Sequence, residues 1–314
     1  MMPSLGTGLS LLILLLKRPA IGGQAVIEGV MIRGRDKVAV SLRRRDGTLQ
    51  TRVDAHQAWR ERLSFLKLPV FRGAATLVES LVLGIRYLSF SAEMAQQDEK
   101  GNTTTEKNWK DSLLNGLSVI FALVLGFGLF MYTPMFLTNI IKADQNPALF
   151  NLSAGLIRFL LFFIYLFAIS RMKDIQRVFE YHGAEHKAIF AYEAGKTVTV
   201  ENAQPYVTYH PRCGTSFILI AGFACILLFA LLDFVVVALT GPYASLLQRF
   251  GVHLLMVPLV SGVSYEVLKL SDRFAAHPLV GKLILPGLWI QRITTREPDP
   301  QQLEVAVSAV NGAL

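Results

Sequence analysis

Hydrophobic and polar positions alternate in three different rhythms along this chain, and the order of those rhythms predicts its elements. From Lys37 to Asp54 (KVAVSLRRRDGTLQTRVD) two extended runs flank Asp46-Gly47. Both positions of an Asp-Gly turn tolerate positive φ, so this stretch predicts a β-hairpin. Pro69 then opens a helical period from Val70 to about Ala95, interrupted by Arg72, Glu79 and Arg86. Those charges predict an interfacial or re-entrant helix rather than one that crosses a bilayer. Near-continuous apolar runs follow at about 113–141, 149–170, 216–240 and 246–267. Each is close to or above the roughly 20 residues a helix needs to cross hydrocarbon. The last is the least regular, since it contains Arg249, His253, Pro258 and Glu266. Between the second and third runs a helical period extends from Lys173 to Ala194 and stops at Gly195, a C-capping glycine. The VTVENAQPYVTY stretch after it has β character. Beyond the last run, residues 278–293 mix apolar side chains with Lys282, Arg292 and Pro286, which predicts a segment lying along an interface with Trp289 at headgroup depth.

These elements describe a mainly α, polytopic helical membrane protein with about four spans, interfacial helices and a small N-terminal β-hairpin region. The corresponding division is an apolar extension at 1–18, a hairpin and interfacial-helix region at 19–112, and a first pair of spans at 113–170. A loop at 171–215, a second pair of spans at 216–267 and an interfacial segment with a tail at 268–314 complete it. Composition agrees: 52% of the 314 residues are hydrophobic, 17% are charged, and the mean hydropathy is +0.43, too apolar for an ordinary soluble domain. The net charge of +8 matches basic loops at a membrane rather than nucleic-acid binding, for which no recognition motif is present. Two cysteines, Cys213 and Cys225, indicate no disulfide framework.

The distribution of charge predicts orientation, because Lys and Arg near span ends stay on the cytoplasmic side. Of the 31 Lys and Arg, 17 lie between Lys17 and Lys110, six between Arg171 and Arg212, and five after the last span. With four spans, both termini and the 171–215 loop fall on the same basic, cytoplasmic side. Residues 9–16 are a short apolar run followed, not preceded, by Lys17 and Arg18, so they read as neither a signal peptide nor a span.

The densest candidate chemistry lies in YHGAEHKAIFAYE, residues 181–193. His182, Glu185 and His186 form an H-x-x-E-H pattern, which on a helix stacks the imidazoles one turn apart with a carboxylate beside them. Two neutral imidazoles so placed can bind Zn²⁺, while the carboxylate accepts a proton from water. Glu193 continues the same face, and HPRCG at 210–214 brings His210 and Cys213 back to the start of the third span. A set of His182, His186 and Cys213 with Glu185 as base has three protein ligands and an open position; adding His210 closes it and favours a structural metal. Two other readings stay open: a solvated helix face with Glu185 paired to a Lys or Arg, and Cys213 as a nucleophile served by a histidine. Glu28, an isolated acid in IGGQAVIEGVMIRG, and Glu266, at the end of the fourth span, are weaker candidates. Within the spans, Arg158 and Asp233 are expected either to face the bundle and pair with each other or to snorkel from near an interface.

Taken together, GGQAVIEGVMIRG (22–34), RGAATLVES (72–80), EYHGAEHK (180–187), HPRCGTSF (210–217) and YEVLK (265–269) resemble the YqhQ family of bacterial membrane proteins. The resemblance runs from about residue 21 to about 296; the first 18 residues and the tail after Glu297 fall outside it. It implies a metal-dependent enzyme of the bacterial cytoplasmic (inner) membrane and points to His182, Glu185, His186, His210 and Cys213. The leading expectation is a metal-dependent hydrolase acting on a membrane-borne substrate. The alternatives are a non-enzymatic factor that meets other membrane proteins, a ribosome or translocation machinery, and, third, a transporter.

Overall fold

The computed structural model describes residues 21–99, 109–141, 146–211, 213–273 and 278–314. The apolar stretch 1–18 and the 100–108 part of the expected linker lie outside them. Strands β1 (Gly22–Val26), β2 (Gly29–Arg33), β3 (Lys37–Arg43) and β4 (Leu49–Ala55) form one antiparallel meander in sequence order. The hairpin predicted around Asp46-Gly47 is therefore only half of the sheet, and the glycine-rich stretch before it supplies the other half. β1 and β2 are joined by a two-residue turn at Ile27 and Glu28, where Glu28 takes a φ of 54°.

The longer helices are α1 (Phe71–Glu99), α2 (Trp109–Phe127), α3 (Thr133–Ile140), α4 (Pro147–Ile169), α5 (Lys173–Glu193), α6 (Gly214–Thr240), α7 (Leu246–Arg273), α8 (Pro278–Thr294) and α9 (Pro300–Ala313). A wider π-helical turn at Gly128–Tyr132 carries α2 into α3. The stretch expected to have β character instead makes a helical turn at Val200–Ala203, because the Thr199 side chain accepts from the Asn202 N–H and caps it.

Both faces of the sheet are covered, which is why β2 and β3 are buried almost throughout. Val30, Ile32 and Ala39 point to one face, where they pack with Tyr181, Ala184 and Ala188 of α5 and with Leu303, Val305, Ala306 and Ala309 of α9. Met31, Val38, Val40 and Leu42 point to the other and meet Leu83 and Tyr87 of α1. This alternation is the period-2 signature of strands read on both sides at once. The C-terminal stretch expected to be a tail is thus a core element: a capping box at Asp299 and Gln302 starts α9, and Leu303 is only 2% exposed.

Among the described residues, five helices are long and apolar enough to cross a membrane: the four expected runs and Phe71–Glu99. α1 differs from the other four in that its middle is packed on the sheet and its first turn on α7. There the Arg72 Nε donates to Glu266 at 2.6 Å. α3 packs against α4, and α6 against both α4 and α7. α8 runs along α6 and places Ile290 against Leu166 and Phe179. The outer surface of this bundle is apolar, with Phe121, Leu227, Leu239 and Leu255 between 69% and 80% exposed.

Inside the bundle, Asp233 receives hydrogen bonds from Asn151 Nδ2 (2.7 Å), Arg249 Nε (2.9 Å), His253 Nε2 (2.8 Å) and Tyr243 Oη (2.8 Å). Arg158, expected as its partner, instead donates to the Phe130 carbonyl at 2.7 Å. Glu266 is likewise taken up by Arg72 and is no ligand to the helix of histidines.

Burial of α9 sets a direct test. Replacing Leu303 by Ala should cost about 2–5 kcal/mol of stability, the range for a truncated core leucine. Leu314→Ala, at a side chain 54% exposed, should shift thermal unfolding little.

Candidate metal centre

The second half of α5 is buried on every side, from Phe179 to Glu193 apart from His182 and Glu180 at intermediate exposure. A helix buried all round has to account for each polar side chain it carries. Lys187 donates to the Gln204 carbonyl at 2.9 Å and pairs with Glu297. Glu193 Oε2 lies 3.0 Å from His210 Nε2, so a neutral His210 donates to the carboxylate there. The remaining group is His182, Glu185 and His186.

Both imidazoles are held by backbone carbonyls. His182 Nδ1 is 2.8 Å from the Thr294 oxygen, and His186 Nδ1 meets the Thr208 oxygen. A carbonyl only accepts, so each Nδ1 carries the proton and each Nε2 presents a lone pair. Those lone pairs converge on Cys213: His182 Nε2 lies 3.3 Å from its Sγ, and the ligand atoms of His182, His186 and Cys213 are all within 4.8 Å of one another. Tetrahedral zinc with nitrogen and sulfur ligands needs separations of roughly 3.3–3.8 Å, the distance at which the His182–Cys213 pair already stands. One thiol hydrogen can serve only one of two lone pairs, whereas a cation serves all three ligands. Cys213 is also the N-cap of α6, where the helix dipole favours a thiolate.

Two close approaches create this arrangement. A Cβ at Gly183 would run into the Arg296 carbonyl, so glycine lets residues 294–297 lie against α5, where Arg296 N–H donates to the Phe179 carbonyl at 2.9 Å. That contact is what brings the Thr294 oxygen to His182. A Cβ at Gly23 would stand 2.6 Å from Glu185 Oε1, so glycine in β1 makes the space the carboxyl occupies.

Glu185 is the unbalanced member. Its Oε2 is buried with no hydrogen-bond partner among the described residues, and burial pushes its pKa up to about 8, with the nearby His182 ring opposing the shift and Cys213 adding to it. Burial pushes the pKa of His186 down, which keeps that ring neutral and able to bind a cation. The group opens on a cavity of about 440 Å³ lined by Ile21 to Ala25, Val178, Phe179, Ile189 and Gly214 together with His182, Glu185, His186, His210 and Cys213.

The structure therefore brings together His182, His186 and Cys213 with Glu185 alongside, and separates the rest. His210 is turned to Glu193, and its backbone N–H and C=O are both taken by the Gln291 side chain, at 2.7 and 2.9 Å. Glu28 is held by Arg177, with Nη2 to Oε2 at 2.6 Å, and by Tyr181 at 3.2 Å, where it ties the β1–β2 turn to α5. Thr208, Thr294 and Gln291 are not legible in the sequence as site residues, since their roles rest on backbone atoms or a distant amide.

The family described as "Protein of unknown function (DUF1385)" matches residues 68–314. The chain is 35% identical over 306 residues to "Uncharacterized protein YqhQ" of Bacillus subtilis (strain 168), covering 94% of this chain and 92% of that one. It belongs to the YqhQ family. No solved structure matches the chain. The match of the YqhQ family extends through residue 314, so the stretch after Glu297 lies inside it, in keeping with the packing of α9 on the sheet.

Glu185 sets the behaviour of the metal-free protein with pH. Its folded pKa of about 8 exceeds the ordinary value of 4.5, so folding incurs no penalty below about pH 4.5 and loses stability as pH rises toward 8. In chelator-treated protein, Glu185→Gln should therefore raise the unfolding temperature at pH 8 clearly more than at pH 5; equal shifts at both pH values would contradict a buried, proton-retaining carboxyl.

Proposed function

We propose that this protein is a multi-pass protein of the bacterial cytoplasmic membrane that binds one divalent metal ion, zinc by ligand type, and hydrolyses a membrane-borne substrate. The observation that carries the metal is the pair of imidazoles whose Nδ1 atoms are both tied to carbonyls and whose Nε2 atoms face one cysteine. A donor set of two nitrogens and a sulfur would suit zinc, and three protein ligands would leave one coordination position for water or substrate; all three residues line the cavity. When bound, the ion supplies Lewis acidity and lowers the pKa of water.

The chain's own residues do the remaining work. The Thr208 and Thr294 carbonyls hold the rings in the ligating tautomer. The nearby cationic charge favours ionised Glu185, which then serves as general base toward a water in the cavity and returns the proton to the leaving group. Placement at the membrane is supported by Gly214, which lines the cavity and begins α6, an apolar helix long enough to cross the bilayer. α2 with α3, α4, α6 and α7 form the inserted bundle in this reading. α1 lies across the sheet at the cytoplasmic surface, since a helix whose middle packs on strands is not free to be ringed by lipid.

Metal analysis of purified full-length protein tests this. The wild type should carry about one zinc per chain; His182→Ala and His186→Ala should each lower that at least tenfold, and His210→Ala, outside the ligand set, should not. Stoichiometric metal surviving in His186→Ala would sink the assignment. Glu185→Gln should keep the metal and lose function in cells.

A further inference from the structure

β1 is an edge strand: in the order β1-β2-β3-β4 its only strand partner among the described residues is β2. Val26 pairs with Gly29 across the two-residue turn, so the hydrogen-bonded pairs fall at Val26, Gln24 and Gly22. The N–H and C=O of Gly23 and Ala25 consequently point away from β2. Residues 21–25 line the same cavity as the histidines and Cys213. An exposed edge usually invites mispairing and is blunted by charge, proline or a covering element. β1 carries neither charge nor proline, has two glycines at its start, and borders the cavity that holds the proposed metal ligands.

A second observation marks the α5-facing side of this same strand as a place for a ligand. The Glu185 carboxyl lies against the Gly23 backbone, where a Cβ would come within 2.8 Å of its Cδ. Its Oε2 is buried without a hydrogen-bond partner among the described residues, on a residue only 4% exposed. An unbonded buried carboxyl oxygen is costly in a finished structure and is satisfied once a polar ligand enters. Main-chain groups that have no strand partner among the described residues, spaced two residues apart, match an added strand rather than a sugar, a phosphate or an acyl chain.

We infer that the substrate of the proposed metal site is an extended polypeptide segment, which adds to β1 as a fifth strand and so lays its backbone across Glu185, His182, His186 and Cys213. The inference rests on the metal-hydrolase reading and names the substrate class. Pairing with Gly23 and Ala25 fixes the register of the segment, so that one peptide carbonyl stands at the open position. In hydrolysis the water oxygen bonds to that carbonyl carbon, the C–N bond breaks, and the amine leaves with the proton carried by Glu185. Because Gly214 at the base of α6 lines the same cavity, the segment enters at the foot of the apolar bundle.

The test uses zinc-loaded full-length protein in detergent and measures binding rather than turnover. Probes are acetohydroxamate, a three-residue peptide hydroxamate, two versions of that peptide N-methylated at alternate nitrogens, and lauryl hydroxamate. Strand addition predicts that the peptide probe binds at least tenfold more tightly than acetohydroxamate. N-methylation in one frame should abolish that gain, and in the other frame leave it nearly intact. Ala25→Pro, which removes an outward N–H that the ladder does not use, should erase the gain of the peptide probe over acetohydroxamate. Equal sensitivity to both methylation frames, or tighter binding of lauryl than of peptide hydroxamate, overturns the polypeptide assignment and leaves the metal site standing. Loss of the metal reading shows differently: no zinc is retained and no hydroxamate binds, and both ideas then fall.

Discussion

The carbonyl oxygens of Thr208 and Thr294 are the constraint from which the site follows. By accepting the Nδ1 protons of His186 and His182 they turn two Nε2 lone pairs toward Cys213. Without them either ring can rotate or change tautomer, and the convergence is lost. Neither carbonyl belongs to α5. One precedes the HPRCG turn and the other ends α8, so two chain segments 86 residues apart must dock on the same helix before the rings are set.

That docking explains the architecture around it. α5 is buried because the sheet, α9, the 294–297 segment and the turn at 208–210 surround its second half. The glycine at 183 and the glycine at 23 are small for opposite reasons: one admits a backbone to the helix, and the other admits a carboxyl to a strand. In both cases a methyl group would have nowhere to go, so the cost of substitution would be paid by the position of a histidine or of Glu185. The N-terminal strands and the C-terminal helix thus form one compact unit, with the apolar helices attached through the starts of α1 and α6.

Within the bundle the same accounting of polar groups holds. Asp233 gathers four donor residues from two helices, α4 and α7, and the 241–245 connection, and Arg249 lies over the Phe150 ring at 3.2 Å from Cζ to the centroid. A buried carboxylate so fully satisfied ties α4, α6 and α7 together and leaves nothing unpaired for chemistry. The contrast with Glu185, whose Oε2 has no partner among the described residues, is what distinguishes a structural carboxylate from a candidate catalytic one.

The sequence by itself determined the local features whose physics is short-ranged. Hydrophobic run length marked four of the five apolar helices, Asp46-Gly47 marked the β3–β4 turn, Gly195 marked the end of α5, and the H-x-x-E-H spacing put two rings and a carboxyl on one helix. Helical and extended periods, and the φ demands of turns, act over a few residues and can be read from them. Only the tertiary structure decided that Cys213 rather than His210 joins the imidazoles, that Glu28 and Glu266 are spent on Arg177 and Arg72, that Asp233 takes Arg249 instead of Arg158, and that the last 14 residues of helix cover the sheet. Each of these depends on which of several equally suitable partners lies within about 3 Å after folding, and that choice is made by backbone atoms and missing side chains far away in the chain.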